Sequence, residues 1–250
     1  MNKLRRPAIL AFCGLWALTS CMVYEHTNPL DPENPSSQRS LLPVVLAFVT
    51  NDTALASGSL YRKAYDAYGR LTEPVQAVSF EIPLDPETNS LKQFLKATWE
   101  NLSGPRLVPR VFVGTNQSPL EGLSTADLHL AAIQSRLAPL LYESAAWTME
   151  GQASVSGQVV TLEIKIARLG NANSGRGRVL ALVAQKATAA WSQAAYAFAP
   201  HSLSPMTPAQ IVTVTFRDTL ASGELPAAPV FLALVQDSAT GAISQGVRFE

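Results

Sequence analysis

Apolar residues along the chain follow two different patterns, and the change comes near residue 143. Before it, short apolar runs that suit buried strands alternate with stretches in which apolar residues recur at helical spacing. After it, apolar and polar residues alternate, as in Val160-Thr161-Leu162-Glu163-Ile164-Lys165-Ile166, which places the apolar side chains on one face of a strand. The pattern predicts two domains, residues 41–143 and residues 144–250.

The first domain is predicted to be an α/β layer. The predicted strands and helices are, in chain order, a strand at 41–49, a helix at 59–71, a strand at 75–82, a helix at 91–102, a strand at 107–113 and a helix at 125–142. Thr125 is one of the residues placed to cap the last helix. Strands that alternate with helices favour a largely parallel sheet.

The second domain is predicted to be all-β. Its expected strands are 153–156, 159–166, 179–184, 211–216, 230–235 and 242–249. Gly157 and Gln158 suit a hairpin turn between the first two, and residues 187–197 suit a short helix, an edge strand or a loop. Short strands without a long helix predict an antiparallel β-sandwich of immunoglobulin-like kind, so the expected fold class is α/β plus all-β.

Residues 1–20 have the features of a signal peptide. Lys3, Arg5 and Arg6 supply a positive start, and the apolar stretch 8–18 is too short to span a membrane. The following Leu18-Thr19-Ser20-Cys21 resembles the lipobox of bacterial lipoproteins. An uncleaved amino-terminal helix, or an ordinary signal peptide with a chance cysteine, is the alternative.

The lipobox resemblance implies cleavage before Cys21, transfer of diacylglycerol to its sulfur, and further acylation with palmitate-type chains. Several acyl chains on one residue anchor a protein firmly in a lipid bilayer. Because Met22 rather than an aspartate follows Cys21, analogy with lipoprotein sorting rules favours the outer membrane over the inner. Residues 21–40, rich in proline and turn formers, are predicted to be the lipidated cysteine and its tether.

Residues 41–143 resemble the thioredoxin fold, and more narrowly the thioredoxin-like domains of some bacterial outer-membrane lipoproteins. Residues 44–50 resemble the first central strand, residues 107–114 resemble the strand beside the family's cis-proline at Pro109, and the helix 125–142 resembles the closing helix. Active members carry Cys-x-x-Cys after the first strand, where this chain has Thr53 and Ala56. The resemblance therefore implies a degenerate site without thiol exchange, since the thiolate is the attacking species.

Composition narrows the candidate chemistry further. The two cysteines are Cys13 and Cys21, and the three histidines are far apart in sequence, so neither a metal site nor a cofactor is expected. Loss of residues 1–20 removes three of 19 basic residues and none of 19 acidic ones, for a net charge of −3. Without a basic stripe, no nucleic-acid partner is expected.

These observations predict a non-catalytic cell-envelope lipoprotein with a binding or assembly role, whose partners are the bilayer and an envelope protein. One alternative is a thioredoxin-like envelope enzyme that uses chemistry other than cysteine. Another is a carbohydrate- or peptide-binding accessory lipoprotein. For that second alternative, Trp147, Trp191 and Tyr196 are candidates for an aromatic binding patch, or else for packing in the core.

Overall fold

The structure is a computed structural model that describes residues 28–31, 34, 38–50, 67, 69–71, 76–82, 110–114, 120, 125–169, 176–238 and 241–250. The elements in these ranges are β1 Gln38–Ser40, β2 Val44–Thr50, β3 Gln76–Ile82, β4 Arg110–Val113, α1 Ala126–Leu140, β5 Ser144–Ser156, β6 Val159–Arg168, β7 Gly177–Lys186, β8 Trp191–Ala197, β9 His201–Leu203, β10 Ile211–Thr219, β11 Pro229–Asp237 and β12 Ile243–Phe249.

The strands form two sheets. The smaller sheet has the order β1-β5-β6-β10, with antiparallel pairing throughout. The larger sheet has eight strands in the order β12-β11-β7-β8-β3-β2-β4, with β9 also paired to β7. Its β2–β3 and β3–β8 pairs are parallel and its other pairs are antiparallel. The larger sheet is therefore mixed, and the smaller one is a simple antiparallel layer.

The predicted fold class is wrong, because the amino-terminal strands do not form the sheet of a separate thioredoxin-like domain. β3 pairs with β2 on one side and with β8 on the other, at Ala77↔Trp191, so the sheet continues into β7, β11 and β12. Among the described residues the one complete helix is α1. The helix predicted at 91–102 lies outside the described residues, as does most of the one predicted at 59–71.

Three apolar cores separate the layers. The first lies between the two sheets and takes Val179, Ala181 and Val183 from β7. The second takes the alternate residues Leu180 and Leu182 from the same strand, together with side chains of β2, β3, β4, β11 and β12. Because successive side chains of a strand point to opposite faces, β7 is buried on both sides, as is β11.

The second core is enclosed because the larger sheet curls on itself. β12 and β2 stand apart in the strand order, yet they are in contact. Val44 of β2 lies so close to Gly246 of β12 that a Cβ there would come within 2.9 Å of the Val44 side chain. A glycine at position 246 is therefore required for this approach.

The third core lies between the larger sheet and α1. The helix begins as predicted, with the Thr125 hydroxyl accepting a hydrogen bond from the Leu128 amide at 3.2 Å. Its buried face, which includes Ile133 and Leu137, packs against Val45 and Val111. The predicted helix at 125–142 is thus confirmed, with its end at Leu140.

Candidate functional site

The segment just after the predicted anchor is folded locally. We call Asn28–Asp31 together with Asn34 the N-terminal clasp. The Asn28 side-chain oxygen accepts from the Leu30 amide at 2.8 Å, as in an Asx turn, and its carbonyl accepts from the Asp31 amide at 2.9 Å. The Asn34 side chain donates back to the same carbonyl at 3.1 Å. Asn28 therefore organises the clasp through both its side chain and its backbone.

The N-terminal clasp lies against β5. Thr148 donates its hydroxyl to the Pro29 carbonyl at 3.2 Å, and the Asn34 amide donates to a Glu150 carboxylate oxygen at 3.4 Å. The same oxygen lies 4.0 Å from the Lys165 ammonium of β6. Thr148 is completely buried and Glu150 is 6% exposed. Polar side chains are buried here because the clasp supplies their hydrogen bonds.

A buried glutamine of β12 links that strand to β5 and to the segment between β1 and β2. Gln245 of β12 has no exposed surface, and its oxygen accepts from the Leu42 and Gly246 amides, both at 3.0 Å. Its amide nitrogen donates to the Trp147 carbonyl of β5 at 3.1 Å. Leu42 lies where the chain passes from β1 in the smaller sheet to β2 in the larger one. Gln245 therefore ties the two sheets to the entering chain.

A tyrosine makes a second polar link between the sheets. The Tyr196 hydroxyl of β8 donates to an Asp218 carboxylate oxygen of β10 at 2.5 Å. Burial of the ring, followed by the hydrogen bond to Asp218 and the negative charges of Asp218 and Glu224, raises the pKa of Tyr196 above its ordinary value. The phenol stays protonated and serves as a structural donor.

The three aromatic residues considered for a binding patch do not form one. Trp147 and Tyr196 are buried in the first core, where Tyr196 meets Phe198 edge-to-face at a centroid distance of 5.1 Å. Trp191 packs instead against the third core. Core packing therefore accounts for all three.

The other predicted site positions lie elsewhere. Cys21, Thr53, Ala56 and Pro109 are outside the described residues, so they stay predictions. Within the described part of the chain, no group of three or more His, Cys, Asp or Glu side chains is placed to hold a metal ion. No helix in that part of the chain has the length and apolar character needed to cross a membrane.

Strand β10 presents a long open edge among the described strands. The Leu220 amide donates to the Gln158 carbonyl at 2.9 Å, and β10 then pairs with β6 without a register shift. Because hydrogen-bonded positions alternate in an antiparallel pair, the main-chain groups of Thr213, Thr215 and Arg217 point away from β6. The stretch 211–219 contains no proline. It can accept a further strand.

Comparison with known proteins gives a fold likeness. No family model matches this chain, and no curated protein matches it. The structure of HBP35 of Porphyromonas gingivalis overlaps with a TM-score of 0.61 at 10% identity, covering 85% of this chain and 76% of that one. The likeness spans both halves of the chain, so it establishes a shared fold.

Two further structures overlap over shorter stretches. A domain of the outer membrane lipoprotein Omp28 from Porphyromonas gingivalis has a TM-score of 0.29 at 12% identity, covering 42% of this chain and 88% of that one. A DUF3823 family protein from Bacteroides ovatus has a TM-score of 0.28 at 15% identity, covering 41% of this chain and 54% of that one. These two scores do not establish a common fold.

Proposed function

We propose that this chain is a cell-envelope lipoprotein, acylated at Cys21, whose folded body serves binding or assembly. The observation that carries the proposal is the N-terminal clasp. It fixes Asn28 to the body only seven residues beyond Cys21, a span of at most about 25 Å when fully extended. A cysteine that follows an apolar leader and directly precedes the folded body is well placed for an anchor.

A binding role is supported by the open edge of β10. Its outward main-chain groups offer donors and acceptors to an extended segment of another protein, which would continue the smaller sheet. The threonines along this edge have high strand propensity and carry no charge that would repel an incoming strand. An envelope protein is the partner that an anchored body meets.

A non-catalytic role is supported by the structural hydrogen bonds that buried polar groups make among the described residues. Glu150 binds the clasp, Tyr196 binds Asp218, and Arg168 donates to the Met206 carbonyl. Each of these groups joins two parts of the fold. These contacts stabilise the structure by joining separate strands and segments.

Acylation is tested by labelling cells that express the full chain with a radioactive or alkyne-bearing palmitate. Wild-type protein should incorporate the label and fractionate with membranes, preferentially the outer one. The Cys21→Ala variant should incorporate no label, because it lacks the acceptor sulfur. Label retained by the variant would contradict acylation at Cys21.

The binding role is tested by recovering partners from detergent-solubilised envelopes with wild-type protein and with Thr215→Pro. Proline removes one outward-pointing amide and leaves the β6 ladder intact, so a partner held by strand addition should be lost. Thr215→Val keeps the edge and should retain the partner. Equal recovery by all three proteins would contradict strand addition, and thiol exchange above a no-protein control would contradict the non-catalytic role.

A further inference from the structure

The N-terminal clasp identifies the side of the body from which the anchor leaves. On β5, Trp147 and Met149 point into the first core, so Thr148 and Glu150 point to the opposite face of the smaller sheet. These two outward side chains are the ones that hold the clasp. Asn28, the described residue nearest Cys21 in the sequence, therefore lies at the outer face of the β1-β5-β6-β10 sheet.

The helix α1 lies on the other side of the molecule. Passing from the smaller sheet toward α1, one crosses the first core, the β7–β11 layer, the second core, the β2–β4 layer and the third core. Stacked layers are about 10 Å apart, so the centre of α1 is roughly 30 Å from the smaller sheet. This separation exceeds the reach of at most about 25 Å between Asn28 and Cys21.

The character of the outer face suits a location beside lipid headgroups. Its side chains on β6 and β10 are mostly polar and of both charge signs: Thr161, Glu163, Thr213, Thr215 and Arg217. One exposed apolar side chain, Ile211, lies at the end of β10. A polar face of this kind can lie close to the interface without burying apolar surface in the hydrocarbon. It differs from the apolar face of an inserted interfacial helix.

We propose that the outer face of the smaller sheet is the membrane-proximal face of this protein, and that the clasp holds α1 away from the bilayer. This orientation rests on the proposed acylation of Cys21. It leaves the edge of β10 lateral to the bilayer, where a partner in the same membrane can extend the sheet. It also directs the exposed surface of α1 toward the surrounding compartment.

Energy transfer from a labelled cysteine to headgroup-labelled lipid tests the orientation. Signal-peptide cleavage removes Cys13 and acylation occupies Cys21, so an introduced cysteine is the single free thiol of the processed protein. Thr215→Cys places a donor on the outer face and Ser135→Cys places one on exposed α1. Each full-length acylated variant is reconstituted into phosphatidylcholine–phosphatidylethanolamine vesicles with the label confined to the outer leaflet.

The orientation predicts a greater loss of donor emission for Thr215→Cys than for Ser135→Cys. Adding Thr148→Val and Asn34→Ala to each should reduce the difference, because the body is then released from the clasp. Circular dichroism of the released variants verifies that the sheets are retained. Loss of the sheets would affect only the comparison made with the released variants, because the comparison of Thr215→Cys with Ser135→Cys uses proteins that keep the N-terminal clasp.

The possible failures are distinguishable. Protein that does not float with the vesicles would overturn acylation, and with it the orientation. Protein that floats but shows equal emission loss at the two positions, or a greater loss at Ser135→Cys, would overturn the orientation and leave acylation standing. A difference that is unchanged when the clasp is released would overturn the role assigned to the clasp.

Discussion

Gln245→Met is expected to be one of the most destabilising single changes on a strand of this protein. Methionine has nearly the length and volume of glutamine, so the substitution removes the polar atoms with little change in packing. The Leu42 and Gly246 amides lose their acceptor, and the Trp147 carbonyl loses its donor. The effect is therefore that of unsatisfied polar groups and not that of a cavity.

The magnitude follows from the number and burial of those groups. Trp147 is 1% exposed and Gln245 is completely buried, so water cannot easily replace the lost bonds. A buried group without its partner costs about 1–3 kcal/mol, so three groups give a loss of about 3–9 kcal/mol, nearer the lower end when one finds partial compensation. Domains are stable by about 5–15 kcal/mol, so the loss is a large fraction of the total.

Urea unfolding of the full chain in mild detergent, followed by tryptophan fluorescence, measures this loss. With a slope near 3 kcal/mol per molar, the midpoint should fall by roughly 1 M or more. Gln152→Met is the matched control, because Gln152 is an exposed glutamine on β5 and its replacement should change stability by less than about 0.5 kcal/mol. If Gln245→Met were as stable as Gln152→Met, the hydrogen bonds of Gln245 would make no contribution to stability.

Three other predictions concern the packing described above. Tyr196→Phe should lower the free energy of unfolding by about 1 kcal/mol at neutral pH, because it removes the hydrogen bond to Asp218. Because the pKa of Tyr196 is raised in the folded state, the unfolded chain loses its phenol proton at lower pH than the folded protein does, and wild-type stability falls as pH rises above about 10. Tyr196→Phe lacks this phenol, so its stability should fall less over the same pH range. Gly151→Ala should cost about 1–3 kcal/mol by urea unfolding, because a Cβ would lie 2.2 Å from the Phe249 ring. Ile133→Ala should cost about 2–5 kcal/mol in the same assay, because its side chain is completely buried between α1 and the larger sheet.

Each of these predictions has a matched control on the same chain. Tyr142→Phe alters a tyrosine that is 91% exposed and should change stability by less than about 0.5 kcal/mol. Gly69→Ala places a Cβ in open space, and Leu128→Ala truncates a side chain that is 51% exposed. If any control variant lost as much stability as the variant it is matched with, the cause given for the effect of that variant would be wrong.

Local patterns predicted much of the strand positions. The alternation in 159–166 and 211–216 reports one buried face, and the structure has β6 and β10 there. The continuous apolar runs 179–184 and 230–235 lie within β7 and β11, which are apolar throughout because both faces are covered. These features depend on a few neighbouring residues, which is why the sequence alone indicates them.

Strand partnership could not be predicted in the same way. The two-residue alternation of apolar and polar positions predicts which face of its strand Ala77 lies on, but not which strand pairs with it. The residue paired with Ala77 is Trp191, more than a hundred residues later in the sequence. The alternation of strands and helices before residue 143 therefore suggested a self-contained parallel sheet. The sheet instead continues through β8 into the second half of the chain.

The contacts of the N-terminal clasp also could not be predicted from local sequence patterns. Prolines and turn formers in residues 21–40 indicate irregular backbone, and irregular backbone suits a tether. Asn28 and Pro29 do form an irregular turn, but the Pro29 carbonyl of that turn accepts a hydrogen bond from Thr148, and Asn34 donates to Glu150. The sequence signal available was the Asn-Pro start of an Asx turn, which gives no indication of what the turn binds.

The intact mass of the full chain purified from membranes tests the central claim most directly. Acylation and cleavage predict a protein that begins at Cys21 and carries the mass of a diacylglyceryl group and a further acyl chain on that residue. The mass of a chain that still contains residues 1–20, or of a cleaved chain without acyl groups, would contradict the account.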